Sequence, residues 1–206
     1  MKTKIKICGI KREDEVDILN RFPVSYAGFI FAKSKRQVTI EKCNELSSKL
    51  RQDIKRVGVF VNEPLDSLLK IITSCHLDVV QLHGDETVDY IKEIPIKVWK
   101  TIPIKDKDSL LRVQIYEDNV DGILFETYHK SLKGGTGETF DWSLLRVSKN
   151  IAHSYERILA GGLNANNIRE AIEVVEPDVL DLNSGLEVEG YKTFEKIEEL
   201  FKELEL

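Results

Sequence analysis

Long apolar runs are missing from this chain, and with them any membrane span: its uncharged stretches fall far short of the roughly 20 residues that a bilayer core requires. Residues that gather metals are scarce. Cys8, Cys43 and Cys75 are an odd number without metal-like spacing, and among four histidines only His83 is well placed to be a ligand. Basic residues are not in excess either. A net charge of −5 argues against a general nucleic-acid binder and leaves room for a local basic pocket. The first residues lead straight into a strand with no signal-peptide core, and no linker or low-complexity segment interrupts the rest. These absences lead us to expect a cytoplasmic protein with reduced thiols, folded as one domain over residues 1–206. Cys43 and Cys75 lie in helix-like patterns, where a free cysteine acts as a small apolar residue.

What is present is a regular alternation. Strand-like segments fall at about 4–8, 26–31, 56–61, 79–83, 97–102, 122–127, 157–161 and 179–183. Between and after them lie helical patterns at 12–22, 40–51, 64–75, 86–94, 108–116, 141–147, 165–175 and 194–204. Thr39 is placed as an N-cap and Pro64 as a helix start. Strict alternation implies a parallel sheet covered by helices. Eight units favour closure into a (β/α)8 barrel of the triosephosphate isomerase type, a TIM barrel. An open doubly wound sheet would need a glycine fingerprint after the first strand, and Cys8-Gly9-Ile10-Lys11 is not one.

Strand parity then sorts the side chains. Alternate residues face opposite sides, so Ile5 and Ile7 share one face and Lys6 and Cys8 the other. On the sixth strand Ile123 and Phe125 face one way, Leu124 and Glu126 the other. With Val80, Leu82, Leu180 and Leu182 turned to the helices, Gln81, His83, Asp181 and Asn183 face the interior. One inward polar group reads as structural, because burial requires a partner. Seven on four strands, gathered toward the C-terminal ends, favour a site. A thiol (Cys8) and a carboxyl (Glu126) across that interior suit proton transfer.

A second signal is anion binding. Gly161-Gly162 ends the seventh strand before a helix, and Ser184-Gly185 ends the eighth. Glycines admit backbone N–H groups to an anion, and a helix N-terminus adds a favourable dipole. Taken alone, the two glycines read equally well as tight-turn residues; their place after strands seven and eight of a barrel favours phosphate.

Six motifs in order resemble the phosphoribosylanthranilate isomerase family: Lys6-Ile7-Cys8-Gly9; Gly28-Phe29-Ile30-Phe31 with Ser34 and Arg36; Gln81-Leu82-His83-Gly84; Gly134-Gly135-Thr136-Gly137 with Phe140-Asp141-Trp142; Leu159-Ala160-Gly161-Gly162-Leu163-Asn164; and Ser184-Gly185-Leu186-Glu187. The resemblance covers nearly the whole chain. It implies a metal- and cofactor-free barrel that converts N-(5-phosphoribosyl)anthranilate to the carboxyphenylamino-deoxyribulose phosphate by an Amadori rearrangement in tryptophan biosynthesis. It implies Cys8 as general base and the sixth-strand acid as general acid, with Arg36 and Asp181 at the substrate. The family's usual acid is aspartate; here the position holds Glu126, which sets the carboxyl about 1.5 Å further out. Lys6 is expected to lower the Cys8 thiol or to pair with Asp181. Gln81 and His83 are expected beside the substrate, His83 as a supporting hydrogen-bonding group. A monomer and a homodimer are both open. The competing readings are a catalytically weakened phosphate-binding barrel and another sugar-phosphate isomerase. The histidine-pathway isomerase needs a first-strand carboxylate, where Cys8 stands, and a metal-dependent epimerase needs more histidines.

Overall fold

The computed structural model of the chain describes residues 3–127, 141–148 and 154–204. Eight strands, β1 (Lys4–Cys8), β2 (Tyr26–Ile30), β3 (Lys55–Phe60), β4 (Val79–Leu82), β5 (Lys97–Ile104), β6 (Gly122–Thr127), β7 (Glu156–Ala160) and β8 (Val179–Leu182), close into a barrel in chain order. Every pair is parallel, and β8 returns to β1 with Lys6 in register with Asp181. The helices α1 (Glu13–Leu19), α2 (Ile40–Ser47), α3 (Leu65–Cys75), α4 (Val88–Lys92), α5 (Val113–Tyr116), α6 (Ile168–Val175) and α7 (Phe194–Leu204) link or follow the strands. The expected TIM barrel is the fold observed.

Parity decides the two cores. Ile5, Ile7, Val80, Leu82, Ile123, Phe125, Leu180 and Leu182 belong to the outer core shared with the helices. Tyr26, Val57, Val79, Trp99, Leu124, Ile158, Ala160 and Val179 form a separate cluster inside the barrel. Trp99 is fully buried there, edge-on to Tyr26 with ring centroids 4.9 Å apart. Gly122 makes the space, since a Cβ on it would lie 2.5 Å from Trp99 Cδ1.

Local signals explain most boundaries. Thr39 caps α2, its Oγ1 accepting from the Lys42 N–H at 3.2 Å, and α3 starts directly after Pro64. Three expectations are corrected, and one element is new. The helix expected over 108–116 is a 3-10 turn (Lys107–Arg112) followed by the short α5. Asp106 and Ser109 bond each other there, and Leu111 and Ile115 stay exposed, so little burial supports an α-helix. The helix expected over 141–147 is a 3-10 turn, Trp142–Ser148, with the Ser143 N–H donating to Asp141. α6 starts at Ile168 rather than Ala165, because Asn164 and Asn167 fold their side chains back onto the Gly162 carbonyl. An unexpected hairpin joins β9 (Glu187–Val188) to β10 (Tyr191–Lys192). Glu189 and Gly190 turn it with φ of 51° and 82°, the geometry of a two-residue hairpin loop. The Gly134-Gly135-Thr136-Gly137 motif and Phe140 lie outside the described residues.

Candidate active site

At the C-terminal ends of the strands opens a cavity of about 410 Å³. Cys8 and Glu126 line it from β1 and β6, Gln81 from β4 and His83 from just after it, and Asp181 from β8. Arg36 enters from the loop after β2, and Gly161, Gly162, Ser184 and Gly185 close the side formed by the turns after β7 and β8. All ten residues singled out from the sequence therefore meet around one space.

The floor of the site is an ion pair. Lys6 is fully buried and donates to Asp181 Oδ2 at 2.7 Å and to Gln81 Oε1 at 2.6 Å. Burial opposes the charge on Lys6, but Asp181 holds its ammonium above the ordinary range. Asp181 is pushed up by burial, against the pull of Lys6. Its second oxygen, Oδ1, is buried with no partner among the described residues. An acceptor left open beside a cavity is suited to a ligand donor.

Cys8 stands above this pair. Gly28, in register with it on β2, leaves the room: a Cβ there would fall 2.7 Å from the sulfur. Lys6 does not depress the thiol as expected. Burial pushes it above its ordinary value, and Lys6, already committed to Asp181 and Gln81, offsets only part of that. Glu126 is shifted in the same direction. Burial, reinforced by the charge of Asp181 and opposed by Lys6, lifts its carboxyl to about 7. The site thus holds a carboxylic acid able to keep a proton at neutral pH.

His83 closes the gap between these groups. Its Nε2 contacts the Gln81 side-chain amide, and its Nδ1 lies 3.6 Å from Glu126 Oε2. Gln81 thus joins the floor to His83 and Glu126.

Arg36 is more constrained than the sequence implied. It makes a two-pronged pair with Glu187, Nε to Oε1 at 2.7 Å and Nη2 to Oε2 at 2.6 Å. Lys192 adds a third bond to the same carboxylate at 2.6 Å. Against the effect of burial, Arg36 and Lys192 hold Glu187 at about 2. Gly9, at φ +80°, lets the arginine stem pass, since a Cβ there would sit 2.6 Å from Arg36 Cδ. Glu187 stands in the Ser184-Gly185-Leu186-Glu187 motif, but the sequence reading assigned neither it nor Lys192 to the site. The hairpin that presents them has two-residue strands, too short to leave a periodic signal. The apolar wall of Ile30, Phe31, Val59 and Val61 was likewise missed.

At the opposite side, Gly161 and Gly162 have φ of +91° and +68°, conformations natural only to glycine. Among the described residues their N–H groups have no acceptor. A Cβ on Gly185 would lie 2.0 Å from the Leu163 carbonyl oxygen, so the turns after β7 and β8 pack directly together. The helix dipole expected just beyond Gly162 is displaced, because α6 begins only at Ile168. Among the described residues no group of His, Cys, Asp and Glu side chains is gathered to hold a metal ion, and no helix is long and apolar enough to cross a membrane.

Comparison with known proteins agrees with this geometry. Residues 5–203 match the family model for N-(5'phosphoribosyl)anthranilate (PRA) isomerase. The N-(5'-phosphoribosyl)anthranilate isomerase of Thermoanaerobacter pseudethanolicus is 46% identical over 202 residues, spanning 98% of this chain and 97% of its own. The crystal structure of phosphoribosyl anthranilate isomerase from Thermotoga maritima superposes with a TM-score of 0.89 at 33% identity, covering 98% of each chain. A phosphoribosyl anthranilate isomerase solved with reduced 1-(o-carboxyphenylamino)-1-deoxyribulose 5-phosphate gives a TM-score of 0.86 at 31% identity, also covering 98% of each chain. Matched from end to end in sequence and in fold, the chain belongs to the N-(5'-phosphoribosyl)anthranilate isomerase family.

Proposed function

We propose that Cys8 is the general base and Glu126 the general acid of the isomerisation for which the family is named. The chain is an isomerase of tryptophan biosynthesis acting on N-(5'-phosphoribosyl)anthranilate. The observation that carries the residue assignment is that one cavity joins a thiol, a carboxyl raised to about 7 and two glycine turns.

Protonated Glu126 gives its proton to the ring oxygen as the C1–O bond breaks, leaving an iminium. The Cys8 thiolate then removes the C2 proton to form an enolamine. Protonation at C1 and loss of the hydroxyl proton at C2 complete the ketone, and the acid and base recover their starting states. The glycine N–H groups after β7 hold the phosphate, with the turn after β8 packed against them. Across the barrel, the wall of Ile30, Phe31, Val59 and Val61 suits the aryl ring, with Arg36 for its carboxylate. Asp181 Oδ1 accepts from a sugar hydroxyl. Gln81 on β4 and His83 just after it support this arrangement.

The active ionisation state has Glu126 protonated and Cys8 deprotonated, although each group's shift favours the proton on sulfur above pH 7. Turnover therefore climbs to a plateau above about pH 7 and falls only where the thiol titrates. The partner of the site is a small molecule; the protein works in the cytoplasm as a monomer or a homodimer.

The test follows the loss of the fluorescent substrate. Cys8→Ser and Glu126→Ala are each expected to lower kcat by roughly 10²–10⁴-fold while the substrate still binds, and Glu126→Asp to keep or improve activity. Wild-type turnover of Cys8→Ser would remove the base. A folded but inactive Glu126→Asp would count against the acid, and binding without turnover by the wild type would favour a weakened, phosphate-binding barrel.

A further inference from the structure

We infer that His83 is a positioning residue for the acid: its Nδ1–H holds the Glu126 carboxylate left behind when the ring oxygen takes the proton. This rests on the reading of Glu126 as the acid. The side on which His83 carries its proton follows from a chain of obligatory donors. An ammonium has no lone pair, so Lys6 can only donate. Its bonds to Asp181 Oδ2 at 2.7 Å and Gln81 Oε1 at 2.6 Å turn the glutamine oxygen toward β1. The glutamine NH₂ is then the end that meets His83 Nε2. A donor facing Nε2 requires Nε2 to accept, so the neutral ring keeps its proton on Nδ1. Nδ1 is the atom that faces Glu126 Oε2, at 3.6 Å. The Lys6–Asp181 ion pair thereby sets the tautomer of a ring just beyond β4 and aims an N–H at the acid.

The 3.6 Å separation is longer than a hydrogen bond. Once the carboxylate forms, its charge strengthens the attraction for the N–H, and catalytic hydrogen bonds commonly tighten at that stage. Among the described residues, the charged and titratable groups that bear on Glu126 are His83 just after β4, Asp181 from β8 and Lys6 from β1. The flanking strands are neutral there: β5 sets Pro103 in register with Glu126, and β7 and the turn after it contribute Ala160 and Gly161 to the cavity. An N–H donated to the ionised form favours ionisation. Losing it therefore makes Glu126 release its proton at higher pH.

Asparagine and glutamine separate the two ring nitrogens. The Asn amide nitrogen reaches about where Nδ1 stands, whereas that of Gln reaches about where Nε2 stands. His83→Asn is expected to keep kcat within roughly tenfold of wild type and to leave the acidic limb of the pH profile in place. His83→Gln and His83→Ala are expected to lose roughly 10–100-fold in kcat with KM little changed, and to move that limb upward by about half a pH unit or more. Equal activity of the Asn and Gln variants, or a change confined to KM with the limb unmoved, would overturn the inference. In the wild type, the ¹⁵N shifts of His83 should report a protonated Nδ1 and a bare Nε2. The opposite tautomer overturns the inference whether or not any variant folds. Glu126→Gln keeps the two readings apart: if its acidic limb persists, the acid assignment fails, whereas a limb that vanishes there but stays fixed in His83→Ala sinks only the role of His83.

Discussion

The two ends of the barrel interior are built from the same eight strands and treat carboxylates in opposite ways. At the N-terminal end the space between strands is filled by Tyr26, Trp99, Ile158 and their apolar neighbours. Three aspartates at that rim are committed to backbone. Asp78, Asp121 and Asp178 each stand just before a strand and accept the N–H of Arg56, Val98 and Arg157, every bond 2.8 Å long. At the C-terminal end Glu126 is lifted to about 7 and Asp181 keeps an oxygen without a partner among the described residues. One end spends its polar groups on holding the strands together. The other leaves Glu126 able to keep a proton and one Asp181 oxygen open, which costs stability and leaves them available to a substrate.

The sharpest way to break this division is to hollow out the packed end. Trp99 is completely buried, edge-on to Tyr26, and its Nε1 donates to Glu156 at 3.3 Å. Trp99→Ala should cost about 3–5 kcal/mol of stability, read from denaturant midpoints at constant m-value. Under conditions where the variant stays folded, its kcat should match the wild type. A large loss of kcat in the folded variant would mean that packing and chemistry are not divided between the two ends.

A smaller effect of opposite sign is expected at the reactive end. Glu126 titrates near 7 in the folded protein, against an ordinary value of 4.5. The folded state therefore holds this proton more tightly than the unfolded chain does. That contribution to stability is complete below 4.5 and is lost as pH rises through about 7. Glu126→Gln cannot lose it, so between pH 4.5 and 8 the variant should gain about 2–3 kcal/mol relative to wild type. The same substitution should erase the acidic limb of whatever activity remains. Parallel stability curves for the two proteins across that range would show that the carboxyl is not desolvated.

Much of this division was legible in the amino-acid order. Period-two alternation put Ile5, Val80 and Leu180 outside and Lys6, Gln81 and Asp181 inside, and closure of the barrel converted that parity into one shared cavity. What sequence could not supply was the balance of opposing forces at each group. Lys6 lies on the same strand face as Cys8, yet the thiol is raised because burial outweighs a cation already bound elsewhere. Arg36 was expected at the substrate, but the Glu187 and Lys192 that fix its geometry arrive on a hairpin formed by one Glu189-Gly190 turn. Helix starts failed where asparagine and aspartate side chains took over backbone groups, as at Asn164 and Asp106. These are local competitions decided by distances, and spacing alone does not carry distances.

The three rim aspartates allow the finest test, because the clamp they form is the same at each place. Besides accepting a backbone N–H, each donates its own N–H to the carbonyl of the residue it clamps, at 2.9 Å in all three cases. They recur at every second strand boundary, before β4, β6 and β8, so neighbouring clamps are separated by about two strand spacings, roughly 10 Å. Asp78→Ala, Asp121→Ala and Asp178→Ala should each cost about 1–2 kcal/mol, since removing the carboxylate strands one backbone donor and leaves the reciprocal bond intact. Sites so far apart, with no shared partner, should add to within about half a kcal/mol. The triple variant then measures what the rim contributes as a set, and its kcat at a temperature where it is folded should equal that of wild type. A triple variant much less stable than the three losses combined would reveal a coupled ring, in which strands across the barrel share strain that the individual clamps do not report.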